Sequence, residues 1–105
     1  MPGEKFSTLT EQMFYILLCL RQECCGMDIM EQVKVLTAGR VAVGPGTQYN
    51  LLEQFADAHM IRETKAEGRR RSYIITEKGR KALEQEYARM QTMMADYRRL
   101  LEGEK

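Results

Sequence analysis

The sequence is poor in the residues that build metal and redox sites. It has one histidine, His59, and three cysteines, Cys19, Cys24 and Cys25, two of which are adjacent. Zinc sites usually take four ligands in spaced pairs, and an odd number of cysteines is a poor disulfide framework. We therefore expect no metal site and no cofactor. Cys19 is interpreted as a small core residue, and Cys24 and Cys25 as the end of a helix.

Long hydrophobic runs are also missing. The longest, MFYILLCL, is too short to span a bilayer and lacks the flanks of a signal peptide. A length of 105 residues fits one domain, and we expect a cytoplasmic protein without a membrane partner. The formal net charge of +1 argues neither for nor against a polyanionic partner, so the local distribution of charge must decide.

Catalytic constellations are absent from the sequence. It shows no Ser/His/Asp or Cys/His set and no paired carboxylates in a loop. The segment GPGT precedes a predicted helix but has neither the length nor the lysine of a phosphate-binding loop. An enzyme is therefore the weakest of three function classes, after a DNA-binding protein and a protein-interaction module.

Hydrophobic periodicity predicts three short helices, a hairpin and a long last helix. The first helix is capped by Thr8 or Thr10 and runs to about Gln22, the second opens at Gly26 and stops at Gly39, and the third runs from about Pro45 to His59. Two strands follow, Ile61 to Lys65 and Arg71 to Ile75, with a hairpin tip at residues 66–69 between them. Thr76 then caps a last helix that ends near Leu101. This order is the mainly α (α+β) winged helix-turn-helix, with a two-stranded wing. Residues 1–75 would form the winged-helix domain, and residues 76–105 a dimerisation helix in the same compact unit.

The third helix divides into a buried and a polar side. Its first turn presents Thr47, Tyr49 and Asn50, which are uncharged. In a helix-turn-helix the second paired helix enters the major groove with its N-terminal residues, where amides reach base edges and hydroxyls reach phosphates. The same residues would also suit a merely solvated face.

The predicted wing concentrates positive charge. Its basic residues are Lys65, Arg69, Arg70 and Arg71. A basic hairpin directly after such a helix favours nucleic acid, because guanidinium groups bind phosphates or enter a narrow minor groove. The alternative is a winged-helix module for protein–protein contacts without DNA binding. Glu53 and Asp57, on the polar side of the third helix, favour that alternative because carboxylates repel phosphates.

The last helix has a heptad seam. Its apolar residues recur at gaps of four and three: Leu83, Tyr87, Met90, Met94, Tyr97 and Leu101. Such a seam is typical of a coiled coil. A body of three short helices and a hairpin is too small to cover it, so we expect a second copy of the chain to pack there.

Three segments resemble the PadR family of bacterial transcriptional regulators, in particular its short members. They are LTEQMFYILLCL, GPGTQYNLLEQFADAHMI and RRRSYIITEKGRKAL, and they occur in family order. The resemblance implies a homodimeric winged-helix repressor on double-stranded DNA, with contacts at Thr47, Tyr49, Asn50 and the four basic wing residues. The family usually has leucine where this chain has Gln48, so either the third helix begins with a looser turn or the amide finds a partner.

The methionine-rich helix faces raise the question of a small apolar effector. If the first helix packs on the partner's last helix, Met13, Phe14, Met90, Met94 and Tyr97 would line a cavity at the two-fold axis. The same residues would equally fill a solid dimer core. Some short family members stack aromatic effectors on a tryptophan, and this chain has none.

Overall fold

The computed structural model describes residues 8–104, which form four helices and a small antiparallel sheet. The elements in chain order are α1 (Glu11–Cys19), β1 (Cys24–Cys25), α2 (Gly26–Leu36), α3 (Pro45–Asp57), β2 (Ile61–Glu67), β3 (Arg70–Ile75) and α4 (Glu77–Gly103). The predicted mainly α, winged-helix architecture is confirmed. No helix within residues 8–104 combines the length and hydropathy required to cross a bilayer.

The segment after α1 corrects the sequence prediction. α1 ends at Cys19 instead of near Gln22, and Cys24 and Cys25 form a strand instead of a helix end. This strand pairs with β3, with Cys25 opposite Ser72. Because the backbone groups here are used by the sheet, they are not available to continue a helix.

The wing is part of a larger sheet than predicted. The sheet has three strands in the order β1-β3-β2, so the two-stranded wing is its protruding part. β2 continues through Ala66 and Glu67, which the prediction assigned to the tip. The turn itself is Gly68 and Arg69, and Gly68 has a φ of 62°, a left-handed conformation that favours glycine.

The entry into α4 fixes this helix to the rest of the domain. Thr76 caps α4 as predicted, because its hydroxyl accepts a hydrogen bond from the Gly79 N–H at 3.2 Å. The same hydroxyl donates to the His59 carbonyl at 2.6 Å, and the Thr76 N–H donates to the Met60 carbonyl at 2.9 Å. The buried Gly79 then packs directly on that Met60 carbonyl.

The core lies between the helices and the base of the sheet. Its most deeply buried side chains are Phe55, Ile16, Leu17, Leu20, Ile29, Met60 and Val33. α3 therefore packs through Phe55, together with Leu51 and Leu52, and its opposite side is left to solvent.

Candidate nucleic-acid interface

The start of α3 presents an exposed, uncharged surface. Gly44 is the N-cap and Pro45 follows in the first turn, where a proline's missing N–H has no helical partner to lose. Thr47, Tyr49 and Asn50 all lie at the surface, and Tyr49 is 66% exposed. The structure therefore leaves the three predicted contact residues of this helix accessible to a ligand.

The basic residues of the wing lie on two faces of the hairpin. Lys65 is opposite Ser72, and Arg71 is opposite Ala66. Directly opposite residues share a face and successive residues alternate. Lys65 and Arg70 therefore lie on one face of the wing and Arg71 on the other, whereas Arg69 occupies the turn.

One groove joins the wing to the helix-turn-helix, and we call it the wing groove. It has a volume of about 480 Å³. It is lined by Gly26, Met27, Met30, Pro45, Gln48, Tyr49, Leu52, Gly68, Arg69, Arg71 and Tyr73. The fold thus brings Tyr49, Arg69 and Arg71 together, while Thr47, Asn50, Lys65 and Arg70 are exposed but do not line this groove.

Charge in the wing groove is predominantly positive. Arg71 has Glu63 at 3.7 Å, a contact that is weak because both groups are exposed. Within residues 8–104, Arg69 forms no ion pair, which leaves its guanidinium free for an anion. Burial, followed by the nearby Glu63 carboxylate, raises the pKa of Tyr73, so its phenol is protonated at neutral pH.

Gln48 is the residue of this region whose behaviour the sequence left open. It is buried, with 7% of its surface exposed, on the core side of α3. Its Nε2 donates a hydrogen bond to the Gly26 carbonyl at 2.6 Å. Of the two expectations, the amide partner is therefore the one observed, and α3 begins as a regular helix.

The cysteines lie in surroundings that favour the thiol. Burial, with a smaller effect of the Asp28 carboxylate, raises the pKa of Cys24 to about 11. Burial also raises the pKa of Cys19. Since the thiolate is the reactive form, both side chains are poor nucleophiles at neutral pH.

The predicted seam of α4 separates into a buried start and an exposed remainder. Leu83 is 9% exposed and belongs to the core of its own chain. Met90 is half-buried. The other four seam residues, Tyr87, Met94, Tyr97 and Leu101, are exposed.

The predicted effector residues are only partly brought together within one chain. Phe14 and Met90 line the same groove of about 340 Å³ between α1 and α4. Met13 does not line it; its sulfur accepts a hydrogen bond from the Thr10 N–H at 3.5 Å. Met94 and Tyr97 lie farther along α4, on a separate shallow surface that they share with Met90.

A buried carboxylate that was not predicted from the sequence joins α4 to Leu9, just before α1. Glu86 Oε1 accepts a hydrogen bond from the Leu9 N–H at 3.0 Å, and its carboxylate forms an ion pair with Arg89. The hydrogen bond from Arg89 is the main reason why the pKa of Glu86 is lowered. Glu86 follows Leu83 by three residues, and this helical spacing was the available signal that it faces the core.

Comparisons with known proteins agree with this geometry. A transcriptional regulator from Clostridium thermocellum shares the fold with a TM-score of 0.73 at 18% identity, covering 88% of this chain and 97% of the other. RosR of H. salinarum gives a TM-score of 0.64 at 18% identity, covering 92% and 98%. ZitR of Lactococcus lactis, a zinc-responsive MarR family member, gives 0.62 at 20% identity, covering 95% and 66%.

A search of curated proteins finds no significant match. The model of the transcriptional regulator PadR-like family matches residues 16–85, which include the helix-turn-helix, the wing and the start of α4. Members of this family are transcriptional regulators and not enzymes. The chain therefore belongs to the PadR-like family of transcriptional regulators.

Proposed function

We propose that the chain is a repressor that binds an inverted-repeat operator in double-stranded DNA as a homodimer. The observation that carries this proposal is the wing groove, where the uncharged first turns of α3 meet a wing turn with an unpaired arginine. Each protomer would insert α3 into the major groove of one half-site. The half-sites would then be about 10 base pairs, or one helical turn, apart.

Separate roles follow for the exposed residues. The Asn50 amide reads a base edge, and the hydroxyls of Thr47 and Tyr49 reach phosphate oxygens. Arg69 and Arg71 lie against phosphates on the groove side of the wing, and Lys65 and Arg70 carry the same charge on its outer face. Residues 1–75 form the DNA-binding part in this proposal, and residues 76–105 the dimerisation helix.

The exposed stripe of α4 supports the homodimer. Tyr87 is 57% exposed, Met94 53% and Tyr97 66%, although each recurs at the heptad spacing. Exposed apolar stripes of this kind mark interaction sites. A second copy of the same helix would cover the stripe, since its own residues have the same periodicity.

A DNA titration tests the proposal. Purified protein is added to fluorescently labelled DNA from the region upstream of its own gene, between about 50 and 200 mM salt, with random DNA for comparison. Operator affinity should fall steeply with salt. Arg69→Ala combined with Arg70→Ala should weaken binding to both DNAs, whereas Asn50→Ala should weaken binding to the operator alone.

The matched control removes two charges elsewhere. Arg80→Ala combined with Lys81→Ala, exposed near the start of α4, should change DNA affinity much less than the wing variant. Equal losses from both double variants would contradict the role given to the wing. If the protein binds no DNA but forms a protein complex that is insensitive to salt, the alternative function is supported instead. That alternative is a protein-interaction module, which Glu53 and Asp57 favour.

A small apolar effector would bind where Phe14 meets Met90, between α1 and α4. The groove there is about 340 Å³, and the neighbouring α4 stripe continues through Met94 and Tyr97. Met13 does not line this groove in its own chain, so it would reach an effector site only in the groove of the partner protomer. A crystal structure of the dimer with a fully packed interface at these residues would contradict an effector site.

A further inference from the structure

Residues 37–44 form the link between α2 and α3, and the conformation of this link sets where α3 begins. Two successive residues of the link, Ala38 and Gly39, have positive φ values of 53° and 80°. A left-handed alanine is strained, and such a conformation persists only where surrounding contacts hold it. The link therefore depends on contacts made by the residues that follow this turn.

The end of the link gives α3 no side-chain cap. Gly44 is the N-cap, and it has no side chain to accept a hydrogen bond from the first turn. Val41 and Val43 are each 6% exposed and anchor the link in the core. Arg40 and Ala42 alternate with these valines and lie at the surface. The core thus fixes the depth of the link, and contacts at the surface are left to fix its position along α1.

Side chains of α1 make those surface contacts. The Arg40 guanidinium forms an ion pair with Glu11 through Nη1, and its Nη2 donates a hydrogen bond to the Tyr15 hydroxyl at 3.0 Å. The guanidinium carbon also lies 5.9 Å from the centroid of the Tyr15 ring, within the range of a cation–π contact. Two residues farther along the link, the Ala42 carbonyl accepts a hydrogen bond from Gln12 Nε2 at 3.1 Å.

The two partners of Arg40 are placed to suit an arginine. Glu11 and Tyr15 are four residues apart on α1, so they lie on the same face of the helix. A planar guanidinium presents donors to both at once, whereas a lysine ammonium is a point charge on a flexible stem. The ion pair by itself is weak, because Arg40 and Glu11 are both exposed. The fork of donors, held by two partners, is what fixes the link against α1.

We infer that Arg40 is a positioning residue for DNA recognition, which acts through the start of α3. It holds the link against α1, and the link in turn places the exposed Thr47, Tyr49 and Asn50. This inference rests on the proposed function. Because the Asn50 amide reads a base edge in that function, a displaced start of α3 lowers affinity for the operator more than affinity for random DNA.

DNA titrations of full-chain variants test this role. Arg40→Ala should lower operator affinity about 3- to 10-fold, the scale of one or two weak surface contacts, and random-DNA affinity much less. Arg40→Lys should not restore operator affinity, because lysine keeps the charge but loses the fork. Tyr15→Phe removes a hydroxyl and no charge, and it should show a smaller loss of the same kind.

The matched control is Lys34→Ala, which removes an exposed positive charge from α2. It should leave the ratio of operator affinity to random-DNA affinity as in the wild type. A direct phosphate contact by Arg40 would give another result. Arg40→Ala would then lower both affinities and reduce the salt dependence by about one charge, and Arg40→Lys would restore binding. That result would overturn the positioning role.

Amide hydrogen exchange of the free protein examines the start of α3 without DNA. The Gln48 N–H donates to the Gly44 carbonyl at 2.9 Å, and the Arg80 N–H donates to the Thr76 carbonyl at 2.9 Å at the start of α4. In Arg40→Ala the Gln48 amide should exchange about 3-fold faster or more, while the Arg80 amide should exchange as in the wild type. Unchanged exchange at Gln48 would overturn the inference. If the wild type binds no DNA, the proposed function fails, and the exchange rates alone decide whether Arg40 holds the start of α3.

Discussion

At Gly79, α4 packs tightly against the rest of the chain. A Cβ there would lie 2.2 Å from the Met60 carbonyl oxygen and 2.6 Å from Cγ1 of Ile75. The first of these neighbours is backbone and has no other rotamer to adopt. A side chain of any size would therefore push the start of α4 away from the α3–β2 junction.

We expect Gly79→Ala to lower the free energy of unfolding by about 3 kcal/mol, because overpacking exceeds the gain in helix propensity. Urea denaturation measures the change. Gly103→Ala is the matched control, since nothing lies within 4 Å of a Cβ at that position of the same helix. Similar stability in the two variants would show that α4 can move away from Met60 at little cost.

Glu86 gives the fold a defined response to acid. Its pKa is lowered by the hydrogen bond from Arg89, with burial acting in the opposite direction. A carboxylate with a lowered pKa adds stability above its ordinary value of 4.5, and this stability is lost as the pH falls through the lowered pKa.

Glu86→Gln should therefore destabilise the protein by about 1–2 kcal/mol at neutral pH, where the charged hydrogen bonds to Leu9 and Arg89 are lost. The difference from the wild type should narrow as the pH falls below 4.5. Unfolding curves across this range measure both effects. Glu84→Gln, exposed on the same helix, is the control. A difference that does not vary with pH would contradict the role of the carboxylate charge.

At the scale of elements, local patterns predicted the four helices and both wing strands. The cap at Thr76 and the buried stripe of α3 follow from residue type and spacing alone. The first cap was left open between Thr8 and Thr10, and the structure selects Thr10. β1 could not be found this way. Two cysteines form a strand only because β3 supplies their partners, 47 residues or more farther along the chain.

The candidate interface was predictable to a similar extent. Tyr49 and Asn50 were placed correctly at the surface, because each lies about 200° around the helix from the buried Leu51 and Leu52, and Thr47 was placed at the border of the same polar side. The face of the wing on which Lys65 lies depends on strand register and on the irregularity between Glu63 and Lys65. Register is a property of the paired strands, and a charge count cannot reveal it.

The whole molecule is elongated, with principal extents of 60 × 35 × 22 Å. α4 has 27 residues, and at 1.5 Å per residue it is about 40 Å long. All residues from Gln91 to Glu104 are exposed, so the body of the same chain covers only the first half of this helix. The second half carries the exposed Met94, Tyr97 and Leu101 of the seam.

We therefore expect the wild type to sediment at twice its chain mass of 12.2 kDa. Met94→Glu combined with Tyr97→Glu should give monomers, because charges in the seam would be buried without partners. Operator affinity should fall at least tenfold, as each half-site would bind alone. Thr92→Glu combined with Arg99→Gln, two exposed residues on the side of α4 opposite the seam, is the control for charge on α4. A wild-type monomer at micromolar concentration would overturn the proposed homodimer.

The sequence by itself determined the order of the helices and strands, the polar turn of α3 and the heptad seam, because each depends on residues close together along the chain. The tertiary structure decided which of these residues meet. It placed Leu83 in the core, joined Glu86 to Leu9, and brought Gln48, Gly26 and the wing to one groove. Those contacts link residues far apart in sequence, and their geometry is set only when α2, α3 and β3 pack together.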